Sequence, residues 1–146
     1  MICAMAVYNR RIILNSNGKS WRPYLHVDFA CRAIKLCIDK KFNFNDPQIY
    51  NVGFNSYNYK TIDVAKLVKK ITGAKIIFEL NSGKANLKAD KIVKGGVDKR
   101  SYRVNFNLFN KTFPKFNKNN NLEEDILNLV KKIKKFKNYN KNLIND

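Results

Sequence analysis

"GKSWRPYLHVDFACRAI" (Gly18–Ile34) is the stretch whose reading decides the fold. A glycine-containing turn opens it, and the β-rich alternation of Trp21–Val27 predicts an extended segment. Asp28 then suits an N-cap, with Ala30, Ala33, Ile34, Cys37 and Ile38 making one apolar helical face. One strand-to-helix corner thus collects Trp21, Arg22, Tyr24, the only histidine (His26) and Asp28. A single histidine inside an apolar strand, with no nucleophile or metal ligand at a useful spacing, reads as a hydrogen-bonded core residue. Arg22, held between Trp21 and Pro23, reads as an anion contact.

The flanking elements follow from local pattern. Residues 2–9 predict a short helix, Arg11–Leu14 a strand, and "NSNG" a turn. "IYNVG" (Ile49–Gly53) reads as a short buried strand ending at its glycine. Thr61 is expected to cap a helix carrying Val64, Ala65, Val68 and Ile71 on one stripe, with Gly73 at its C′ position. "KIIFEL" (Lys75–Leu80) predicts a strand, Asn81–Val97 a polar loop, and "SYRVNF" an extended run before a short helix near Leu108–Phe113. The last helix opens on Asn121 and Glu124, has acids in its first turn, and carries Ile126, Leu129, Val130, Ile133 and Phe136 at helical spacing. The "NYNKNLIND" end is expected to fray.

Composition bounds the function. The 146 residues are 45% hydrophobic and 12% aromatic, which excludes wholesale disorder. No apolar run approaches a membrane span, and "MICAMAVYNRR" places its basic residues after the apolar ones, the wrong order for a secretory signal. A cytoplasmic location and no membrane partner are therefore expected. Three cysteines (Cys3, Cys31, Cys37) without CxxC spacing imply buried free thiols, with no disulfide framework and no metal site. The net charge of +18 would suit a polyanion, but it comes mostly from scattered lysines on an Asn-rich chain. That pattern fits a solvated surface better than a nucleic-acid footprint.

Neither GxGxxG nor GxxxxGK[ST] occurs in the chain. Two places have the composition of an anion site. One is Arg22. The other is "KGGVDKRSYR" (Lys94–Arg103), where glycines permit close backbone approach beside Lys94, Asp98, Arg100 and Arg103. Cations can meet phosphates there while Asp98 accepts from sugar hydroxyls. The competing reading is a set of surface ion pairs of little consequence.

In order, RPYLHVD, IYNVG, a Thr-initiated helix, DKRSYRVNF and NLEEDILNLV resemble the C-terminal part of extended short-chain dehydrogenase/reductases. These are the NAD-dependent sugar-nucleotide epimerases and dehydratases, and the likeness runs from about Ile12 to Lys132. The RSYRV wording is closest to the branch acting on surface-polysaccharide sugars. The resemblance implies that Arg22 contacts a nucleotide diphosphate and that Tyr24 lies beside the cleft. It places Asp98 and Arg100 on ribose and phosphate, with Lys94 where many members carry an arginine. The family's catalytic YxxxK has no counterpart, since "YNYK" (Tyr57–Lys60) has the wrong spacing.

The expected fold class is accordingly α/β (α+β in isolation). It would be the C-terminal substrate-binding lobe of such an enzyme, with a few short strands, about four helices and no Rossmann half. Residues 1–137 would form the sugar-nucleotide-binding domain and 138–146 a polar tail. The implied function is the substrate-binding portion of an epimerase/dehydratase, without catalytic residues and inactive alone. NAD would serve only the complete enzyme, and the partners would be a nucleoside-diphosphate sugar and a separate N-terminal Rossmann half. The alternatives are a basic nucleic-acid-binding module and a non-functional gene fragment.

Overall fold

The structure is a computed structural model that describes residues 2–40, 48–79, 100–117 and 120–144, the last seven of these and residue 117 by backbone alone. Contacts divide the chain into two compact units, Met1–Ser20 with Lys60–Arg100 and Leu122–Asp146, and Trp21–Tyr59 with Ser101–Asn121. Neither unit is a continuous piece of sequence.

The first unit is built on one parallel strand pair. Helix α1 (Ile2–Asn9) leads into β1 (Arg11–Leu14), which pairs with β4 (Lys75–Phe78) in the register Arg11↔Lys75 to Leu14↔Phe78. Helix α3 (Thr61–Thr72) immediately precedes β4, and α5 (Leu122–Ile144) packs against α1 and α3. Their apolar stripes meet, so Ala6, Ile12, Ala65, Val68 and Val130 are essentially inaccessible. This burial of β-branched and small residues is the main favourable term in the unit.

Both short-helix ends here are closed by basic side chains. Lys137 Nζ donates to the Val7 carbonyl at 3.0 Å, and Arg10 Nη1 donates to the Thr72 carbonyl at 3.3 Å. Each cation meets the negative end of a helix dipole, at α1 and α3 respectively. The start of α3 differs from expectation. Thr61 is its first helical residue and Lys60 the cap position, with no side-chain cap. The carbonyls of Ser20 and Gly18 take the N–H groups of Thr61 and Ile62 at 3.2 and 2.9 Å, so backbone from the "NSNGKS" turn does what a capping side chain would do. Gly73 holds the left-handed C-cap, φ 70°, as the pattern predicts.

The second unit has an aromatic core. Strand β2 (Trp21–Pro23) pairs with β3 (Asn58–Lys60), and α2 (Val27–Asp39) and α4 (Asn107–Thr112) each pack on the short turn of helix at Pro114–Asn117. Phe54 stacks on Phe116 at 4.9 Å between ring centroids and meets Phe29 and Tyr57 edge-on. Phe109 meets Phe116 edge-on as well. Offset and T-shaped pairs of this kind add to plain burial.

One predicted strand and one predicted extended run of this unit join no strand ladder, for a shared reason. The "SYRVNF" run is extended but makes no strand ladder, because asparagine side chains satisfy its backbone. Asn58 Nδ2 donates to the Val104 carbonyl at 3.0 Å while its Oδ1 accepts the Val104 N–H at 2.8 Å. Asn55 Oδ1 accepts the Phe106 N–H at 3.0 Å. "IYNVG" likewise has no strand partner among the described residues. Ile49 is 89% exposed, and the Gly53 carbonyl accepts instead from Asn110 Nδ2 at 3.3 Å. Gly53 itself is required, since a Cβ there would lie 2.7 Å from the Phe106 ring.

Helix α2 also starts otherwise than predicted. His26, not Asp28, is its N-cap, with Nδ1 accepting the Asp28 N–H at 3.2 Å. The helix turns Phe29 and Ala33 into the core and leaves Ile34 and Ile38 exposed. In all, the described residues hold five α-helices and four strands, against about four helices expected.

Candidate functional site

The corner that opens the sequence reading is a flanked strand. On one edge of β2 the Trp21 N–H donates to Ser101 Oγ at 3.1 Å, and the Tyr102 N–H donates to the Trp21 carbonyl at 3.3 Å. On the other edge the Tyr24 N–H donates to the Tyr57 carbonyl at 3.0 Å. An extended backbone fixed on both sides holds its side chains at set positions.

Two arginine–aromatic contacts cross between β2 and the 101–103 segment. The Arg22 guanidinium carbon lies 5.2 Å from the Tyr102 ring centroid, and Arg22 Nη1 donates to the Trp21 carbonyl at 2.7 Å. The Arg103 guanidinium carbon lies 4.4 Å from the Trp21 ring. Successive side chains of a strand alternate faces, so Arg22 with Tyr102 occupies one face and Trp21 with Arg103 the other. Each stack holds a guanidinium against a ring.

Arg22 and Tyr24 both belong to the second unit, Tyr24 just beyond the end of β2. Arg100 is exposed and belongs to the first unit. Lys94 and Asp98 lie outside the described residues, as does the Asn81–Val97 loop. Sequence reasoning passed over Tyr102 as a partner for Arg22. The alternation of "SYRV" carries that signal, but only once the register against Trp21–Arg22 is known. Arg103, read as one of a group of surface ion pairs, stacks on Trp21 instead.

His26 has a divided role. Its side chain is 9% exposed, and with Nδ1 accepting a backbone N–H the ring proton resides on Nε2. Nε2 is buried without a hydrogen-bond partner. Only half of the predicted hydrogen-bonded histidine is therefore satisfied within the protein. Among the described residues no group of three or more His, Cys, Asp or Glu side chains could hold a metal. Nor is any of their helices long and apolar enough to cross a membrane.

The NAD dependent epimerase/dehydratase family model matches residues 1–53. No curated protein and no solved structure matches the chain. The match associates the chain, at family level, with NAD-dependent epimerase/dehydratase chemistry, and it covers α1, β1, β2 and α2. This position corrects the sequence expectation. The likeness occupies the N-terminal third, not a run from Ile12 to Lys132, so the chain is not read as a truncated C-terminal substrate lobe lacking a Rossmann half. The separate N-terminal Rossmann partner falls with it, because the family match already takes the N-terminal region.

Among the described residues, the turn after β1 does not fit a dinucleotide. A pyrophosphate needs a glycine turn from strand to helix that leaves room for close approach. After β1 the chain has "NSNGKS", and a Cβ on Gly18 would meet the Ile62 Cβ at 2.9 Å, so a side chain of α3 takes the space.

Proposed function

We propose that the Arg22 face binds the diphosphate of a nucleoside-diphosphate sugar. The observation that carries this is the Arg22–Tyr102 stack. A guanidinium is held by a tyrosine ring and a backbone carbonyl. Arginine grips phosphate oxygens in two places, and a tyrosine beside it offers a ring to pack on a sugar and a hydroxyl to bond it. The family-level association with epimerases and dehydratases supports this ligand class. The contacts proposed for Lys94, Asp98 and Arg100 with ribose and phosphate rest on their sequence alone.

The opposite-face arginine supplies the control. Arg22→Ala is expected to weaken binding of UDP-glucose, measured by calorimetry, by about 10- to 100-fold, the scale of a lost charge-assisted hydrogen bond. Arg103→Ala removes the same charge from the other face and Lys135→Ala removes one elsewhere, and both should leave the affinity within about twofold. Equal losses in all three variants, with steep salt dependence, would replace this reading by generic polyanion binding.

A further inference from the structure

Helix α2 carries an apolar stripe on a side that it does not give to the core. Val27, Cys31, Ile34 and Ile38 are all exposed. They are spaced by 4, 3 and 4 residues, the pattern by which one helix packs along another. Phe29 and Ala33, which anchor the helix in its own unit, lie off that stripe. One side thus holds α2 in place while another presents a packing seam.

The symmetry of the seam points to what covers it. A spacing of 4, 3, 4 is the same in both directions. A second α2 laid antiparallel about a two-fold axis therefore sets Val27 against Ile38 and Cys31 against Ile34, with no seam residue left over. The flanks agree. Asp28 and Lys35 lie on one flank of the stripe, and Ala30 and Cys37 on the other. In the antiparallel pair Asp28 of each helix comes opposite Lys35 of the other, and Ala30 opposite Cys37. A parallel pair would set Asp28 and Lys35 against Ala30 and Cys37 and match no charge. The pair that Lys35 makes within its own helix, to Asp39 at 2.9 Å, is exposed and does not hold it there. Beyond the Ala30–Cys37 flank, Leu25 and Val52 extend the apolar surface.

We propose that α2 is the interface of a homodimer, closed by an antiparallel pair of α2 helices. Its 13 residues make a contact about 20 Å long, short of what a permanent interface needs. The dimer is accordingly weak, populated at chain concentrations on the order of 0.1 mM. Two chains of net charge +18 also repel each other, so salt strengthens this pairing by screening, whereas it weakens the binding of a polyanion.

Sedimentation equilibrium of the full chain, at low salt and at about 0.5 M salt, tests this. A monomer–dimer equilibrium is expected, severalfold tighter at the higher salt. Ile34→Lys, at an exposed position of the seam, should weaken it more than about tenfold. Leu108→Lys makes the same change at an exposed position of α4 and should leave it within about twofold. Orientation is read by disulfide trapping in a background of Cys31→Ala and Cys37→Ala, which keeps the seam apolar. Val27→Cys and Ile38→Cys chains mixed in equal amounts should cross-link to each other on mild oxidation. Neither variant alone should do so, because like positions stand about 16 Å apart in the antiparallel pair. A chain that stays monomeric would leave the seam to a different protein and overturn the proposal. A dimer that Ile34→Lys leaves intact would overturn it too, as would cross-linking by one variant alone in place of the mixed pair.

Discussion

Cys3 and Cys31 show how far one residue's surroundings set its chemistry. Burial in α1 pushes the Cys3 thiol above its ordinary value near 9, against weaker lowering by the N-terminal amino group and a backbone hydrogen bond. Cys31 lies exposed on α2. A disulfide exchange reagent should therefore label Cys31 rapidly, while Cys3 reacts only on unfolding. The linkage has a definite sign. The fold favours the protonated Cys3 thiol, so its contribution to stability is constant below pH about 9 and is lost as the unfolded thiol ionises above it. Rapid labelling of two thiols per chain in the native state, with Cys3 among them by mass mapping, would contradict this placement. The cysteine spacing points to buried free thiols, and the burial holds for Cys3 alone, since Cys31 is exposed and Cys37 half-buried. Which of them is reactive is not legible there, because that depends on how α1 packs.

Among the elements, the 101–106 segment shows why an extended run need not join a strand ladder. The Tyr102 N–H reaches the Trp21 carbonyl, but the hydrogen bonds of Val104 and Phe106 run to Asn58 and Asn55 side chains, which sequence pattern does not reveal. Asn58 is 7% exposed, and its amide completes both polar groups of Val104 as a neighbouring strand would. Asn58→Leu leaves a buried N–H and a buried C=O unmatched and is expected to cost about 2–3 kcal/mol in denaturant unfolding. Lys66→Ala, removing half of an exposed pair with Asp63, should cost under about 0.5 kcal/mol. Similar effects of the two substitutions would show that Asn58 is not the clamp. The amphipathic helices were the legible elements, since a period of 3.6 is written in the sequence itself. Their first residues were not, because His26 caps α2 and turn carbonyls cap α3.

Across the whole molecule, the sequence shows charge and hides the division into units. Part of the +18 has defined work, with Lys137 and Arg10 closing helix ends and Arg22 and Arg103 stacked on rings. The two-unit division depends on contacts between distant segments, and local periodicity carries no record of those. The exposed apolar face of α2 also belongs to this scale. Ile34 is 61% and Ile38 76% exposed, beside a groove of about 490 Å³ that Leu25 and Val52 also line. A contiguous apolar surface of this kind promotes self-association. Ile38→Lys should lower the concentration-dependent rise in apparent mass by sedimentation, with stability changed by less than about 0.5 kcal/mol. Unaltered association would mean that other surfaces drive it.

The β1–β4 pairing has a consequence for how this protein is made. Arg11 waits for Lys75, and the helix that covers both α1 and α3 begins only at Leu122. A ribosome delivers residues in order, so the first strand emerges long before its mate, and the covering helix later still. The first unit therefore cannot close until the chain beyond Leu122 has been made, and its apolar strand Ile12–Leu14 stays open to chaperones or to misassembly until then.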